Sequence, residues 1–276
     1  MVHDFTVDEL RLNRYDGYNF KVFGNDPFNA FSLAENTVTA VFEDSRGWLW
    51  VGTDSKGVDL YDRQSGSFHH IVLNFKPAGN TSAFDVISIC EAVDGSICLL
   101  QVGNGLIRIA IPPDWPDQLP AIAELSHLTT VTLFPTARFQ CPGDKEPEIL
   151  RAMELRDNGD LWVYSRIRPY LLEPDQQRVT PILENAVPGT EANSAAGNRQ
   201  NSDFWVAQTS ALIRFRNGLA TVFDFPKHPT PPWIMAKPGP DQAFWIAVDN
   251  HVWLLTPDET PDFSKPDWVL DAKLPP

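Results

Sequence analysis

A segment that reads apolar, aromatic, apolar returns five times along this chain, each time just past a run of turn-forming residues. The cores are Leu49-Trp50-Val51, Ile97-Cys98-Leu99, Leu161-Trp162-Val163, Phe204-Trp205-Val206 and Phe244-Trp245-Ile246, so four of the five carry Trp at the centre. Centre to centre, the steps are 48, 64, 43 and 40 residues. A period in this range marks an array of small repeated units, and it restricts the fold more than any single motif does.

The first complete repeat can be read strand by strand. Thr37 to Phe42 is β-branched and aromatic, Glu43 to Gly47 supplies turn chemistry, and Trp48 to Thr53 is a second strand. Asp54 to Gly57 turns into Val58 to Tyr61, and Asp62 to Gly66 turns into Ser67 to Leu73. Four strands joined by three turns make one antiparallel meander, whose apolar face has nothing to cover it. Packing consecutive four-stranded sheets side by side around an axis solves that problem, which predicts an all-β protein of the β-propeller class. The central Trp then fills the space between neighbouring sheets, where a large flat ring can bury about 150–250 Å².

The later repeats follow the scheme with more decay. In the second, strands are expected at Val86 to Cys90, Ile97 to Val102 and Leu106 to Ile111, and a Pro-rich stretch from Pro112 to Pro120 precedes an outer strand ending at Phe134. The blades are placed at about 4–31 (partial), 36–75, 84–135, 149–184, 196–226 and 233–271, all within one domain spanning 1–276. The N-terminal unit aligns Tyr15-Asp16 and Phe20 with the second half of the first full repeat, Tyr61-Asp62 and Phe68. Its first two strands are missing or reduced to Asp4 to Thr6, so the chain reads as a truncated one. Trp268 to Leu270 is the outer-strand candidate of the last blade.

Two stretches carry a family resemblance. The run from Leu12 to Phe23, and Asn36 to Thr53 with Tyr61-Asp62, closely resemble the two-component regulator propeller repeat. The resemblance is specific over residues 10–73 and thins beyond them: Cys98 replaces Trp in the second repeat, and the fourth and fifth lose the Gly-Thr after the Trp strand. It implies the periplasmic sensor region of a hybrid two-component histidine kinase, with about seven blades per propeller in the family, and a membrane helix and kinase that this chain lacks. Family sensors signal as dimers, and an incomplete ring would leave a blade edge and an apolar face for a second copy to occupy, so a homodimer is among the expected partners.

Composition narrows the partners. With 36 acidic against 22 basic residues and a formal charge of −14, the chain is unsuited to a phosphate backbone or an anionic membrane surface. No run of 18 apolar residues is present, which excludes insertion by a transmembrane helix. Met1 to Glu9 lacks the basic and apolar regions of a secretory signal, so the chain taken as complete reads as cytoplasmic. The resemblance implies a periplasmic or extracellular place instead. Cys90 and Cys98 fall on neighbouring strands around the Asp94-Gly95 turn, where directly opposed Cys make poor disulfides, and they are read as buried free thiols with Cys141 left over.

No catalytic constellation emerges, and no cofactor or metal is expected. The six His, at 3, 69, 70, 127, 228 and 251, show no metal-ligand spacing, and His69 and His70 fall on opposite faces of a strand. No Gly-x-Ser-x-Gly elbow occurs, and Gly103-Asn104-Gly105 is a tight turn rather than a dinucleotide loop. Asp157 to Trp162 fits the Asp-x-Gly-x-x-Trp part of the Asp-box of sialidase-like propellers, where it is a structural turn remote from the active site.

What remains is recognition. The loops between second and third strands, and between blades, ring one end of a propeller and commonly hold its ligand or partner. Candidate ligand-binding residues are therefore Asp54, Ser55, Lys56, Asn104, Arg166, Arg168, Gln208, Asp249 and Asn250. Arg166 and Arg168, two residues apart, could fork a carboxylate or sugar acid. Taken singly, each candidate reads more readily as a solvated turn residue. Three functions are carried forward: a non-catalytic sensor of a small-molecule or oligosaccharide ligand, a saccharide by resemblance; a propeller lyase or hydrolase; and an interaction scaffold anchored by Trp115, Trp233 or Trp268.

Overall fold

The computed structural model describes residues 4–8, 11–73, 85–113, 115, 119, 121–126, 128–140, 145, 148–166, 168–182, 192–197, 204–208, 211–216, 219–224, 234–238, 243–248 and 251–256. They form two compact units, Met1–Leu150 and Arg151–Pro276.

The first unit holds three sheets. β1 (Asp4–Asp8), β2 (Arg11–Tyr15) and β3 (Phe20–Phe23) form an antiparallel meander. The N-terminal repeat is thus less reduced than the alternation suggested: β1 is a full strand in register with β2 from Asp4↔Tyr15 to Asp8↔Arg11. β4 (Val38–Glu43), β5 (Leu49–Thr53), β6 (Val58–Asp62) and β7 (Ser67–Ile71) are the four strands expected of the first full repeat. β8 (Val86–Glu91), β9 (Ile97–Gln101), β10 (Gly105–Ala110) and β12 (Thr129–Phe134) build the next sheet.

Two strands were not foreseen: Ala192–Gly197, inside the stretch Glu184 to Ser202 that reads as a polar loop, and one in the first unit. β11 (Glu124–Leu125) leaves the Pro-rich insertion of the third sheet and pairs in parallel with β7 of the second. The outward N–H groups of β7 are thereby satisfied: Phe68 donates to the Phe31 carbonyl at 2.8 Å, His70 to Ala123 at 2.6 Å and Val72 to Leu125 at 3.0 Å. An exposed edge strand invites pairing with foreign chains, and two intrachain segments close this one.

β5 is buried along its whole length because both of its faces are covered. Leu49 and Val51 turn toward the first sheet, where they pack with Leu12, Phe23, Leu33 and Phe68. Trp50 turns the other way, with Val58 and Leu60, against Ile89, Ile97, Leu99 and Ile107 of the third sheet. The indole is fully buried, as a residue filling the gap between sheets must be. Gly52 marks the closest approach of the two sheets, since a Cβ there would lie 2.8 Å from the Val86 carbonyl oxygen.

The same hairpin turn precedes three of the central residues. Asp44 N donates to the Trp48 carbonyl at 3.0 Å and Gly47 N to Asp44 at 2.9 Å; the matching pairs are Ala92/Ser96 with Gly95, and Arg156/Asp160 with Gly159. Gly47, Gly95 and Gly159 have φ of 80°, 77° and 86°, the left-handed backbone that a three-residue hairpin loop requires at that position. What differs is the first residue of the turn. The Asp44 carboxylate is buried and accepts from Arg46 N (3.0 Å), Trp48 N (2.9 Å) and the indole Nε1 of Trp50 (3.0 Å). Where Cys98 has replaced the Trp, Ala92 replaces the Asp.

The turns of the second and third sheets are also tied to each other. Glu91 accepts from Ser45 N (2.7 Å) and Ser45 Oγ (2.6 Å), and Arg46 bridges it at 3.2 Å while donating to the Gly95 carbonyl. Cys90 and Cys98 stand directly opposite each other in the ladder, both buried and both free thiols.

The second unit repeats the pattern. β13 (Leu150–Leu155), β14 (Leu161–Ser165), β15 (Pro169–Glu173) and β16 (Arg178–Pro181) form one sheet; β17 (Ala192–Gly197), β18 (Phe204–Gln208), β19 (Ala211–Arg216) and β20 (Leu219–Asp224) the next. β21 (Ile234–Pro238), β22 (Phe244–Val248) and β23 (His251–Leu255) follow, and Trp268 to Leu270 lies outside the described residues. Trp162 stacks on Phe204 at 5.0 Å and 15° between the first two of these sheets. Its Nε1 and that of Trp205 have no hydrogen-bond partner among the described residues. Guanidinium groups lie over the ring faces instead, Arg156 at 5.4 Å from the Trp162 centroid and Arg214 at 5.1 Å from that of Trp205. Arg156 occupies the turn position that Asp44 holds in the first unit, so an edge-on carboxylate contact has become a face-on cationic one.

Candidate functional site

The strand-two to strand-three turns named from the sequence are built by a polar side chain three residues after the central residue. Thr53 lies fully buried; its Oγ1 donates to the Gly57 carbonyl at 3.0 Å and accepts from Lys56 N at 3.1 Å. Ser165 performs the same task in the second unit, donating to the Arg168 carbonyl at 3.0 Å and accepting from Arg168 N at 2.9 Å. Gln101, also fully buried, takes the equivalent place in the third sheet and accepts from Asn104 Nδ2 at 3.5 Å. A polar residue at this offset recurs as Thr53, Gln101, Ser165 and Gln208, a signal present in the sequence.

The candidates divide by what their side chains do. Asp54 and Lys56 are exposed. Ser55 is committed to Glu35, giving its backbone N–H to Oε2 at 2.7 Å and its hydroxyl to the same carboxylate at 3.0 Å. Asn104 is 3% exposed and Arg168 only 7%, so neither is a solvated loop residue; Arg166 is half-buried. Gln208 ends β18 and its side chain, with Asp249 and Asn250, lies outside the described residues. Asp54, Ser55 and Lys56 share one turn, and Asn104 belongs to the matching turn of the next sheet.

Glu35 is placed by a buried cluster that sequence inspection did not single out. Asp59, fully buried on β6, accepts from Ala34 N at 2.7 Å through Oδ2, and its Oδ1 contacts Nδ1 of His70 at 2.8 Å. The other ring nitrogen of His70 faces the Ala30 carbonyl at 3.1 Å. With acceptors at both nitrogens, the imidazolium donates to both and neutral imidazole to one alone. The hydrogen bond to Asp59 raises the His70 pKa above its ordinary value, against the opposing effect of burial, and Glu124 adds to the rise. Segment 24–36, which carries Glu35, is thus fastened to the sheet by a titratable pair.

A pH dependence follows. Because the folded-state pKa of His70 is raised, the stabilisation is fully present below the unfolded value of about 6.5 and is lost as pH climbs through the folded value. Urea unfolding of the chain and of His70→Gln from pH 5.5 to 9 is expected to show the largest gap between them at the acidic end, closing as pH rises. A gap independent of pH would refute the assignment.

Among the described residues no group of three or more His, Cys, Asp or Glu could hold a metal ion, and no helix is long and apolar enough to cross a membrane.

Residues 32–55 match the two component regulator propeller family. No match is found among curated protein sequences. Two structures of the extracellular domain of BT4673 from B. thetaiotaomicron, a one-component or hybrid two-component system, superpose with TM-scores of 0.70 and 0.67 at 15% and 14% identity. They cover 94% and 93% of this chain, which spans only 34% and 35% of theirs. A catalytically inactive virginiamycin B lyase from Staphylococcus aureus bound to quinupristin matches with a TM-score of 0.63 at 13% identity, covering 98% of this chain and 84% of the lyase. These likenesses establish the propeller fold.

Proposed function

We propose that this chain, which carries a two-component regulator propeller repeat at residues 32–55, is the propeller of a ligand-sensing protein and performs no catalysis itself. The repeat match is the observation that carries the reading. It is supported by the resemblance of the fold to the BT4673 extracellular domain over nearly all of this chain. That extracellular domain also supports a place outside the cytoplasm. The ligand would be a small molecule or oligosaccharide, met by the exposed Asp54 and Lys56 turn and its counterparts in the other sheets. Signalling would be completed by parts of a longer protein, since the matched extracellular domains extend well beyond the length of this chain. Pairing with a second copy is part of the proposal.

A thermal-shift panel of neutral and acidic oligosaccharides tests it, because a ligand that binds only the folded state must raise its stability. At least one member is expected to raise the Tm by a rise that vanishes in the double variant Asp54→Ala/Lys56→Ala. A panel with no rise would count against the sensor.

A second reading, a propeller lyase, draws on one observation: the lyase is matched over most of its own length, whereas the sensor is matched over about a third. Incubation of the chain with quinupristin, followed by mass spectrometry, separates the two. Turnover would replace the non-catalytic reading.

A further inference from the structure

At the end of the second sheet opposite Asp54 to Lys56, the β4–β5 and β6–β7 turns lie side by side, bordered by Trp115 and Leu119 from the insertion after β10. Between them is a cleft of about 430 Å³ whose walls include Trp48, Asp62, Arg63, Gln64, Ser65 and Leu119. That size falls within the range of about 300–1,000 Å³ typical of small-molecule sites.

Its walls are of three kinds. Trp48 is half-buried, and Trp115 of the insertion packs against its ring at 5.5 Å and 59°, which holds the indole at a set angle beside the opening. Asp62 is consumed by its own turn, Oδ1 accepting from Gln64 N at 2.9 Å and Oδ2 from Ser65 Oγ at 2.6 Å. The Ser65 hydroxyl therefore points its hydrogen inward and keeps lone pairs to accept with. The exposed Gln64 adds an amide that both donates and accepts. Arg63 is neutralised by Glu43 at 2.8 Å, and its side chain is 32% exposed.

The chemistry of these walls selects a ligand. A phosphate or sulfate finds a guanidinium that is already paired, next to two carboxylates. An acyl chain would bury Arg63 and Gln64 against hydrocarbon, at the cost of their hydrogen bonds to water. An uncharged ring with one apolar face and a rim of hydroxyl groups suits these walls: the C–H face lies on the Trp48 indole, and the hydroxyls exchange hydrogen bonds with Gln64 and Ser65. We infer that this cleft is a binding site for a pyranose unit of a neutral saccharide, separate from the turns invoked for the sensor reading and at the other end of the sheet.

Isothermal titration of the whole chain with cellotetraose and maltotetraose, and with a chondroitin sulfate tetrasaccharide as the anionic counterpart, tests the inference. A neutral tetrasaccharide is expected to bind with a Kd below about 10 mM. Its affinity should fall about tenfold or more in Arg63→Ala/Gln64→Ala, two exposed positions whose loss leaves the core intact, and stay within about twofold in Asp54→Ala/Lys56→Ala. Trp48→Phe, which keeps an aromatic face of smaller area, should weaken binding less than Trp48→Ala does. The inference is overturned if neither neutral tetrasaccharide binds, if the anionic one binds more tightly, or if Arg63→Ala/Gln64→Ala leaves the affinity unchanged. Binding lost in Asp54→Ala/Lys56→Ala and retained in Arg63→Ala/Gln64→Ala would sink this cleft while leaving the sensor reading standing.

Discussion

Asp44→Ala is expected to destabilise the first unit by about 3 kcal/mol, because it strips the acceptor from three donors at once and each unsatisfied buried donor costs about 1–3 kcal/mol. The donors are Arg46 N, Trp48 N and Trp50 Nε1, all within 3.0 Å of the carboxylate. The indole bears most of the penalty, since Trp50 is fully buried while the turn N–H groups lie nearer to water. For a unit of this size the loss corresponds to a fall in Tm of about 6–12 °C. A double-mutant cycle with Trp50→Phe isolates the contact: with no indole N–H to satisfy, Asp44→Ala should cost about 2 kcal/mol less when Trp50→Phe is already in place. Additive effects would mean that the carboxylate serves the turn alone. Alanine at this place is not foreign to the fold, because Ala92 holds it in the following repeat, where Cys98 has removed the indole.

Gly105→Ala should cost about 3 kcal/mol, by strain and by collision together. Gly105 has φ of +88°, a backbone that a side chain disfavours, and a Cβ built on it runs into the Phe134 carbonyl oxygen and lies 2.8 Å from Thr136 N. Neither neighbour can yield, since both are backbone atoms where β12 leaves the β10 ladder through a register shift at Leu106/Ile107. Gly103→Ala is the control. Its φ of 80° imposes similar strain. Equal Tm losses for the two variants would show that conformation alone decides the cost and that the packing of β12 does not.

The alternation of β-branched and aromatic residues with Gly- and Asp-rich turns placed β4 to β7 within a residue or two, because strand period and hairpin chemistry are properties of neighbouring residues. Trp50, Trp162 and Trp205 were legible as sheet-to-sheet filling for the same reason: a large ring on the second strand of a repeat has nowhere else to be buried. β11 was not legible. Two residues just past a Pro-rich stretch carry no periodicity, and their strand character comes from β7, more than fifty residues away in the chain.

The candidate site was legible only in outline. Its turns were found, yet which of their polar groups remain available was not, because that is decided by partners far along the chain. Ser55 meets a carboxylate 20 residues away, Asp59 an N–H 25 residues away, and His69 the Ile122 carbonyl 53 residues away. Asn104 and Arg168 looked like solvated loop residues and are buried. The polar position three residues past four of the five central residues could have been found by aligning the repeats, and it accounts for the shape of the turns rather than for recognition.

Local order in this protein, its repeat length, most of its strands, its hairpin turns and the burial of Trp50, Trp162 and Trp205, is written in residues close enough to interact within one meander. The tertiary structure decided the rest: that one repeat lends an edge strand to another, that a buried carboxylate and a histidine fasten segment 24–36, and that a cleft opens beside Trp48. Hydrogen bonds and cavities are made between segments, and a one-dimensional pattern holds no record of which segments meet.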